Sequence, residues 1–218
     1  MKVRLKEAGL SYWKTEPGFQ MEEKMWSGLK SKFTTPEVAA KAVRPGDWVD
    51  YGFGAGFSEL MDRALAERRE ELTDVKICGG LVIRPRIEVV ECDPEQRALS
   101  YYSWHIEDYE RGLQTRGLVK FTPVMLRSLP YQYRDRHIRC DVAFVPVSLP
   151  DSRGYYGLGI SNYTWRTILK CVRTVVFEIN ERLPRLHGMD LIGYMLARCP
   201  SQLCPYLKKH FACHGKIR

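Results

Sequence analysis

Apolar positions along the chain fall into two alternating patterns. Trp48-Val49-Asp50-Tyr51 is a short strand-like run that enters Gly52-Phe53-Gly54-Ala55-Gly56. Beyond it, Leu60, Met61, Ala64, Leu65 and Leu72 recur at helical spacing, and Arg63, Glu67, Arg68 and Glu70 form the solvated side. Ser58 stands where a helix cap is expected, and residues 75–83 read as the next strand. Strand, glycine loop, helix and strand make a βαβ unit. The second half repeats this grammar. Residues 141–147 (DVAFVPV) and 174–179 (TVVFEI) are nearly continuous apolar runs, as buried parallel strands require. Between them lie a loop over 150–159 and a helix carrying Trp165, Ile168, Leu169 and Val172, with Asn162 as its expected cap. The pattern predicts an α/β domain with an open, mostly parallel sheet flanked by helices.

Punctuation supports these divisions. Thr35 as N-cap and Pro36 at the first helical position start a helix whose apolar face is Val38, Ala39, Ala42 and Val43. Pro45-Gly46-Asp47 is a turn. Residues 84–135, rich in Tyr, Arg and Pro, are expected to hold shorter strands and long loops. Residues 1–33 read as an N-terminal arm or helix, with Tyr12, Trp13, Phe19, Trp26 and Phe33 packing on the domain.

Charge adds a boundary. The 218 residues carry a net charge of +8. Residues 189–218 alone hold Arg198, Lys208, Lys209, Lys216 and Arg218 against one acid, Asp190, so half the excess sits in that tail. A basic surface attracts phosphorylated ligands, but no RNP motif, helix-turn-helix spacing or basic helix points to nucleic acid. The start lacks a signal peptide's apolar run, and no stretch reaches the ~20 apolar residues of a membrane helix. With seven scattered cysteines, an odd number, the chain reads as a cytoplasmic protein with reduced thiols and no membrane association.

Several groups could carry chemistry. The loop of Gly52, Gly54 and Gly56 precedes a helix N-terminus, a favourable seat for a phosphate or carboxylate; the alternative is a turn that lets strand and helix pack closely. A dinucleotide fingerprint would need a third glycine where Phe57 stands and an acid at the end of the second strand, so a nicotinamide cofactor is not expected. The 150–159 loop follows the carboxyl end of a buried strand, where open α/β sheets bind ligands. His105 ends a strand; an isolated histidine there serves more often as a structural hydrogen-bonding residue than as a base. Glu178 stands mid-strand and is expected to pair with an arginine or lysine, because an unpaired buried carboxylate is costly. Cys199, Cys204, His210, Cys213 and His214 lack the usual zinc spacings, so no metal site is expected.

Longer motifs carry a resemblance. Pro45-Gly46-Asp47-Trp48-Val49-Asp50-Tyr51-Gly52 resembles the PGDWVDYG segment of butyryl-CoA:acetate CoA-transferases. Ser103-Trp104-His105 with Glu110-Arg111, the Leu129-Pro130-Tyr131 stretch to Arg134, and Asp141-Val142-Ala143 through Asp151-Ser152, Gly154-Tyr155 and Gly159 also match, in order. So do residues 175–180, Leu183-Pro184-Arg185 and Gly188. On these residues the chain is similar to the amino-terminal domain of the acetyl-CoA hydrolase/transferase family, of butyryl-CoA:acetate and 4-hydroxybutyrate CoA-transferase type. Arg153 stands where the family usually has His, and Leu149 and Leu186-His187 also depart from it; these positions bear on acyl specificity. The resemblance covers about residues 30–188 and stops after Gly188. Residues 34–188 are therefore expected to form the domain, and 189–218 to be an atypical basic, Cys-rich tail of the kind a frameshift produces.

The resemblance implies a NagB/RpiA-like fold and ping-pong CoA transfer between a short-chain acyl-CoA and a carboxylate such as acetate. A family glutamate attacks the thioester to give a mixed anhydride. CoA thiolate then attacks the glutamyl carbonyl, and the acceptor collects CoA by the reverse sequence. A carboxylate nucleophile is already ionised at neutral pH and needs no base, only donors for the tetrahedral oxyanion. That glutamate is expected in a carboxyl-terminal domain outside this chain, so no residue here is assigned as nucleophile. Gly52, Gly54, Gly56, His105, Asp151, Gly154, Tyr155 and Asn162 are carried over as lining the substrate and CoA pocket. CoA thioesters enter as substrates, with no permanently bound cofactor and no metal. The implied partners are the substrates and either a carboxyl-terminal CoA-transferase domain or further copies of the chain; the chain alone is expected to be inactive. The alternative is a non-catalytic acyl-CoA or carboxylate-binding or partner domain.

Overall fold

The structure of the chain, a computed structural model, describes residues 34–148, 155–160, 164–180, 182–184, 186 and 191–193. Its strands are β1 (Trp48–Phe53), β2 (Val75–Gly80), β3 (Leu99–Ser103), β4 (Val119–Phe121), β5 (Val142–Val147), β6 (Tyr155–Gly157), β7 (Thr174–Ile179) and β8 (Leu191–Gly193). Its α-helices are α1 (Pro36–Ala40), α2 (Glu59–Ala66), α3 (Glu88–Glu91), α4 (Asp108–Thr115), α5 (Leu129–Arg134) and α6 (Trp165–Cys171). A six-stranded sheet has the order β4-β3-β2-β1-β5-β7, with every pair parallel. A separate ribbon pairs β6 with β8 antiparallel. The expected open parallel α/β sheet is what the chain forms.

Two apolar layers cover the sheet. On one face Val49, Tyr51, Ile77, Tyr101, Val142 and Phe144 pack beneath α1, α2, α3 and α4. On the other, Ala143, Val145, Val147 and Val175 pack beneath α5 and α6, with Tyr133, Trp165 and Trp104. Every residue of β5 is buried, which explains its unbroken apolar run. β7 closes one edge, so Val176 to Ile179 are only half-buried.

Several elements differ from their sequence reading for local reasons. Thr35 does cap α1, its hydroxyl accepting from Val38 N, but the helix is a single turn. Val38 therefore faces solvent while Ala39 and Ala40 take the core. β2 stops at Gly80: Leu81 has φ +53° and its N–H bonds His105 O at 2.7 Å, so the chain leaves the ladder and Ile83 is exposed. Residues 84–135, expected to hold shorter strands and long loops, contain two short strands of the sheet and, in addition, three helices. The N-cap position of α6 is Thr164, without a side-chain cap bond; Asn162 lies outside the described residues.

At the strands' amino ends, Arg173 chelates Asp47 through two nitrogens at 2.9 and 2.6 Å and also bonds Ala42 O at 3.3 Å. Asp141 accepts from Trp48 N at 2.9 Å. These contacts fix where β1, β5 and β7 start, and so where they end.

Candidate functional site

The strand order reverses beside β1. From β1 the chain runs outward through β2, β3 and β4, then returns to place β5 and β7 on β1's other side. In open α/β sheets the crevice at the carboxyl ends of the two strands flanking such a reversal is where ligands bind. Here those ends are Phe53 and Val147.

A bulge shapes the end of β1. Asp50 pairs with Cys78 and Phe53 with Gly80, so three steps on β1 oppose two on β2. One extra residue turns the following side chain to the opposite face. Without it Phe53 would join Val49 and Tyr51 under α2; with it, Phe53 packs on the α5–α6 face, stacked on Trp104 with ring centroids 4.7 Å apart and planes at 9°. Asp50 holds the bulge. One carboxylate oxygen accepts from Gly52 N at 2.8 Å, and the other accepts from the Tyr133 hydroxyl of α5. Burial pushes the Asp50 carboxyl up to about 6, against the lowering effect of those two donors. Gly52 itself has φ +81°, and a β-carbon there would lie 2.5 Å from Trp165 Cζ2 and 2.8 Å from Gly56 O.

The loop after β1 crosses the crevice on the other face. Gly54–Gly56 forms a single 3₁₀ turn, and Ser58 begins α2. Ser58 takes the N-cap position, but its hydroxyl does not cap the helix; it donates to Glu178 of β7. The same Glu178 oxygen accepts from Leu60 N at 3.1 Å and Met61 N at 3.4 Å. Among the described residues Glu178 meets no arginine or lysine, unlike the expected ion pair, and it supplies the missing cap from two strands away. The seat that the sequence offered to an external anion holds the protein's own carboxylate. Burial raises the Glu178 carboxyl, while Ser58 and the two amides lower it. The adjacent Glu59 is itself paired with Arg63 and Arg84 at 2.5 and 2.8 Å.

The remaining sequence-predicted residues fall in three groups. Gly52, Gly54 and Gly56 are together at the switch point. His105 is half-exposed beyond β3; its ring meets Phe53 edge-on at 5.9 Å, and its Nε2 lies 3.8 Å from Glu107. Tyr155 opens β6, opposite Gly193 of β8. Asp151, Gly154 and Asn162 lie outside the described residues, as do Cys199, Cys204, His210, Cys213 and His214. Sequence reasoning missed Phe53, Trp104, Trp165 and Glu178 as parts of this region. The signal for Glu178 was present: a carboxylate inside an apolar strand must find donors, and a helix start lacking an effective cap supplies them.

Among the described residues no group of three or more His, Cys, Asp or Glu is placed to hold a metal ion. Nor is any helix among them long and apolar enough to cross a membrane. At the switch point Phe53, Trp104 and Trp165 form an aromatic cluster against the glycine loop, with both tryptophans buried. Leu60, Ile83, Phe121, Met125, Leu126 and Ile160, at or beyond the carboxyl ends of strands along the chain, are exposed.

The fold and its switch point define a doubly wound α/β domain. The chain belongs to the acetyl-CoA hydrolase/transferase family, whose N-terminal domain matches residues 20–195. It is 32% identical over 168 residues to a probable butyrate:acetyl-CoA coenzyme A-transferase of Syntrophomonas wolfei, covering 77% of this chain and 37% of that protein. It is 32% identical over 159 residues to the butyryl-CoA:acetate CoA-transferase of Anaerostipes caccae, covering 73% of this chain and 35% of that protein. The chain thus spans little more than a third of these relatives' length. RipA from Yersinia pestis shares the fold, with a TM-score of 0.70 at 24% identity over 79% of this chain and 42% of RipA. The family match extends beyond Gly188 and includes β8, which begins three residues past that expected boundary.

Proposed function

We propose that this chain forms the acyl-facing half of a CoA-transferase that moves CoA between a short-chain acyl-CoA, such as butyryl-, 4-hydroxybutyryl- or acetyl-CoA, and a carboxylate such as acetate. The observation that carries this reading is the loop of Gly52, Gly54 and Gly56 at the switch point between β1 and β5, with the aromatic side chains of Phe53, Trp104 and Trp165 packed about it. An apolar setting of this kind suits a short alkyl chain. Asp151, Gly154, Tyr155 and Asn162 would line the same pocket from the β5 side, with His105 at its rim. The nucleophilic glutamate would come from a carboxyl-terminal domain seated against the exposed apolar rim of Leu60, Ile83 and Ile160. The domain proper would then follow an arm over residues 1–33 and run through β8, with the residues beyond it a basic extension. CoA thioesters would be substrates, and no bound cofactor is required in a cytoplasmic setting.

The test is thioester exchange with [14C]acetate and butyryl-CoA. The chain alone should give no exchange. Combined with the carboxyl-terminal domain of a relative, it should form labelled acetyl-CoA. Failure of exchange in a complex that demonstrably assembles would overturn the reading.

A further inference from the structure

Glu178 and the segment it holds are 120 positions apart in sequence. β7 is separated from β1 by β5, so a link from the loop after β1 to Glu178 spans about 10 Å across the end of β5. Glu178 lies in register with Pro146, two residues before Ser148 at that end. The segment from Gly54 to Ser58 therefore arches over the β1–β5 crevice, and its far foot is the carboxylate. Within the arch, Phe57 is buried edge-on against Tyr51 with ring centroids 5.0 Å apart, while Gly54, at φ +58°, and Gly56 carry no side chain.

We propose that Glu178 is a positioning residue: it pins the start of α2 and the glycine arch beside the carboxyl ends of β1 and β5, and so sets the mouth of the crevice through which an acyl group enters. This rests on the functional reading above for the identity of the ligand, but not for the clamp itself. One oxygen of Glu178 accepts from the Ser58 hydroxyl and from the Leu60 and Met61 amides. Removal of the side chain frees all three donors at once and leaves the arch held on this side by the buried Phe57 ring alone. Gln keeps an oxygen able to accept from the same three groups and loses only the charge.

Two measurements on the complete protein carrying this chain test the clamp. In Glu178→Ala, hydrogen exchange at the Leu60 and Met61 amides should accelerate at least about tenfold, because their acceptor is gone. The kcat/KM for butyryl-CoA should fall about tenfold or more, from misplacement of the arch. Glu178→Gln should recover most of both. Val119→Ala, in the distant strand β4, serves as a control of comparable thermal destabilisation and should leave kcat/KM near the parent value. Unchanged exchange at Leu60 and Met61 in Glu178→Ala overturns the clamp. So does a loss of kcat/KM no larger than that of Val119→Ala. If the parent protein transfers no CoA, the functional reading fails while the exchange measurement still decides the clamp.

Discussion

The ring of Trp165 occupies the place that a β-carbon on Gly52 would need, with Cζ2 2.5 Å from it. The bulge, the positive φ and the aromatic cluster are thus one packing solution. Gly52→Ala should cost about 3 kcal/mol or more in urea unfolding, combining left-handed strain with overpacking. Gly46 has φ +76° with nothing within 4 Å of its missing β-carbon. Gly46→Ala should therefore cost only about 1 kcal/mol. Equal costs at the two positions would refute the role given to Trp165.

Burial lifts two carboxyls well above their usual range: Asp50 to about 6, and Asp62, whose oxygens accept from Glu88 N and Val89 N, to about 7. A raised folded-state pKa means that the folded chain retains protons the unfolded chain releases from about pH 4 upward. The contribution of these groups is full below that pH and is lost as pH rises through about 6 and 7. Asp50→Asn keeps an acceptor for Gly52 N–H and cannot ionise. Its stability relative to the parent should rise by about 1–3 kcal/mol between pH 4 and pH 8. Urea midpoints at the two pH values measure this, and a pH-independent difference would contradict it.

Glu110 is fully buried and accepts from Val82 N, Glu107 N and the Tyr101 hydroxyl. Glu110→Ala abandons those donors in the interior and should destabilise by about 3 kcal/mol or more. Glu110→Gln, which retains an acceptor oxygen, should cost less than half as much. Thermal melts of the two variants distinguish this network from simple loss of side-chain volume.

Arg173 neutralises the nearly buried Asp47 at the amino ends of β1 and β7. Arg173→Ala strands that carboxylate and should cost about 3 kcal/mol. Arg173→Lys, lacking the two-pronged geometry, should recover only part of it. Full recovery by lysine would show that charge alone matters here.

The exposed apolar side chains at the strands' carboxyl ends call for a cover. The isolated chain should self-associate in sedimentation experiments at high protein concentration. Replacing Leu60, Ile83 and Ile160 by Ser should reduce that association. A monodisperse monomer of the parent chain would speak against a domain interface there.

The parallel sheet was readable because β5 and β7 spell it in local sequence, and the βαβ unit because α2 shows its apolar stripe. The site was less readable for a specific reason. The bulge that turns Phe53 toward Trp104 depends on Asp50 meeting Gly52 N and the Tyr133 hydroxyl from α5, a contact no window of neighbouring residues contains. For Glu178, side-chain charge in the sequence suggests an ion pair, whereas among the described residues its partners are a hydroxyl and two helix-end amides that composition does not reveal. The glycine spacing and the family motifs both lead to the loop after β1, at the carboxyl end of the sheet.

The strand order also dictates a folding problem. β1 sits between β2, close behind it in sequence, and β5, whose first ladder residue Val142 pairs with Val49. During synthesis, β1 to β4 can assemble while the flank of β1 that later receives β5 remains open. Such an edge, lined by Val49 and Tyr51, is a template for mispairing between nascent chains. Closing it requires a long loop and is slow. The ribosome-bound intermediate, rather than the finished sheet, is therefore where this chain is most exposed to aggregation and most in need of a chaperone.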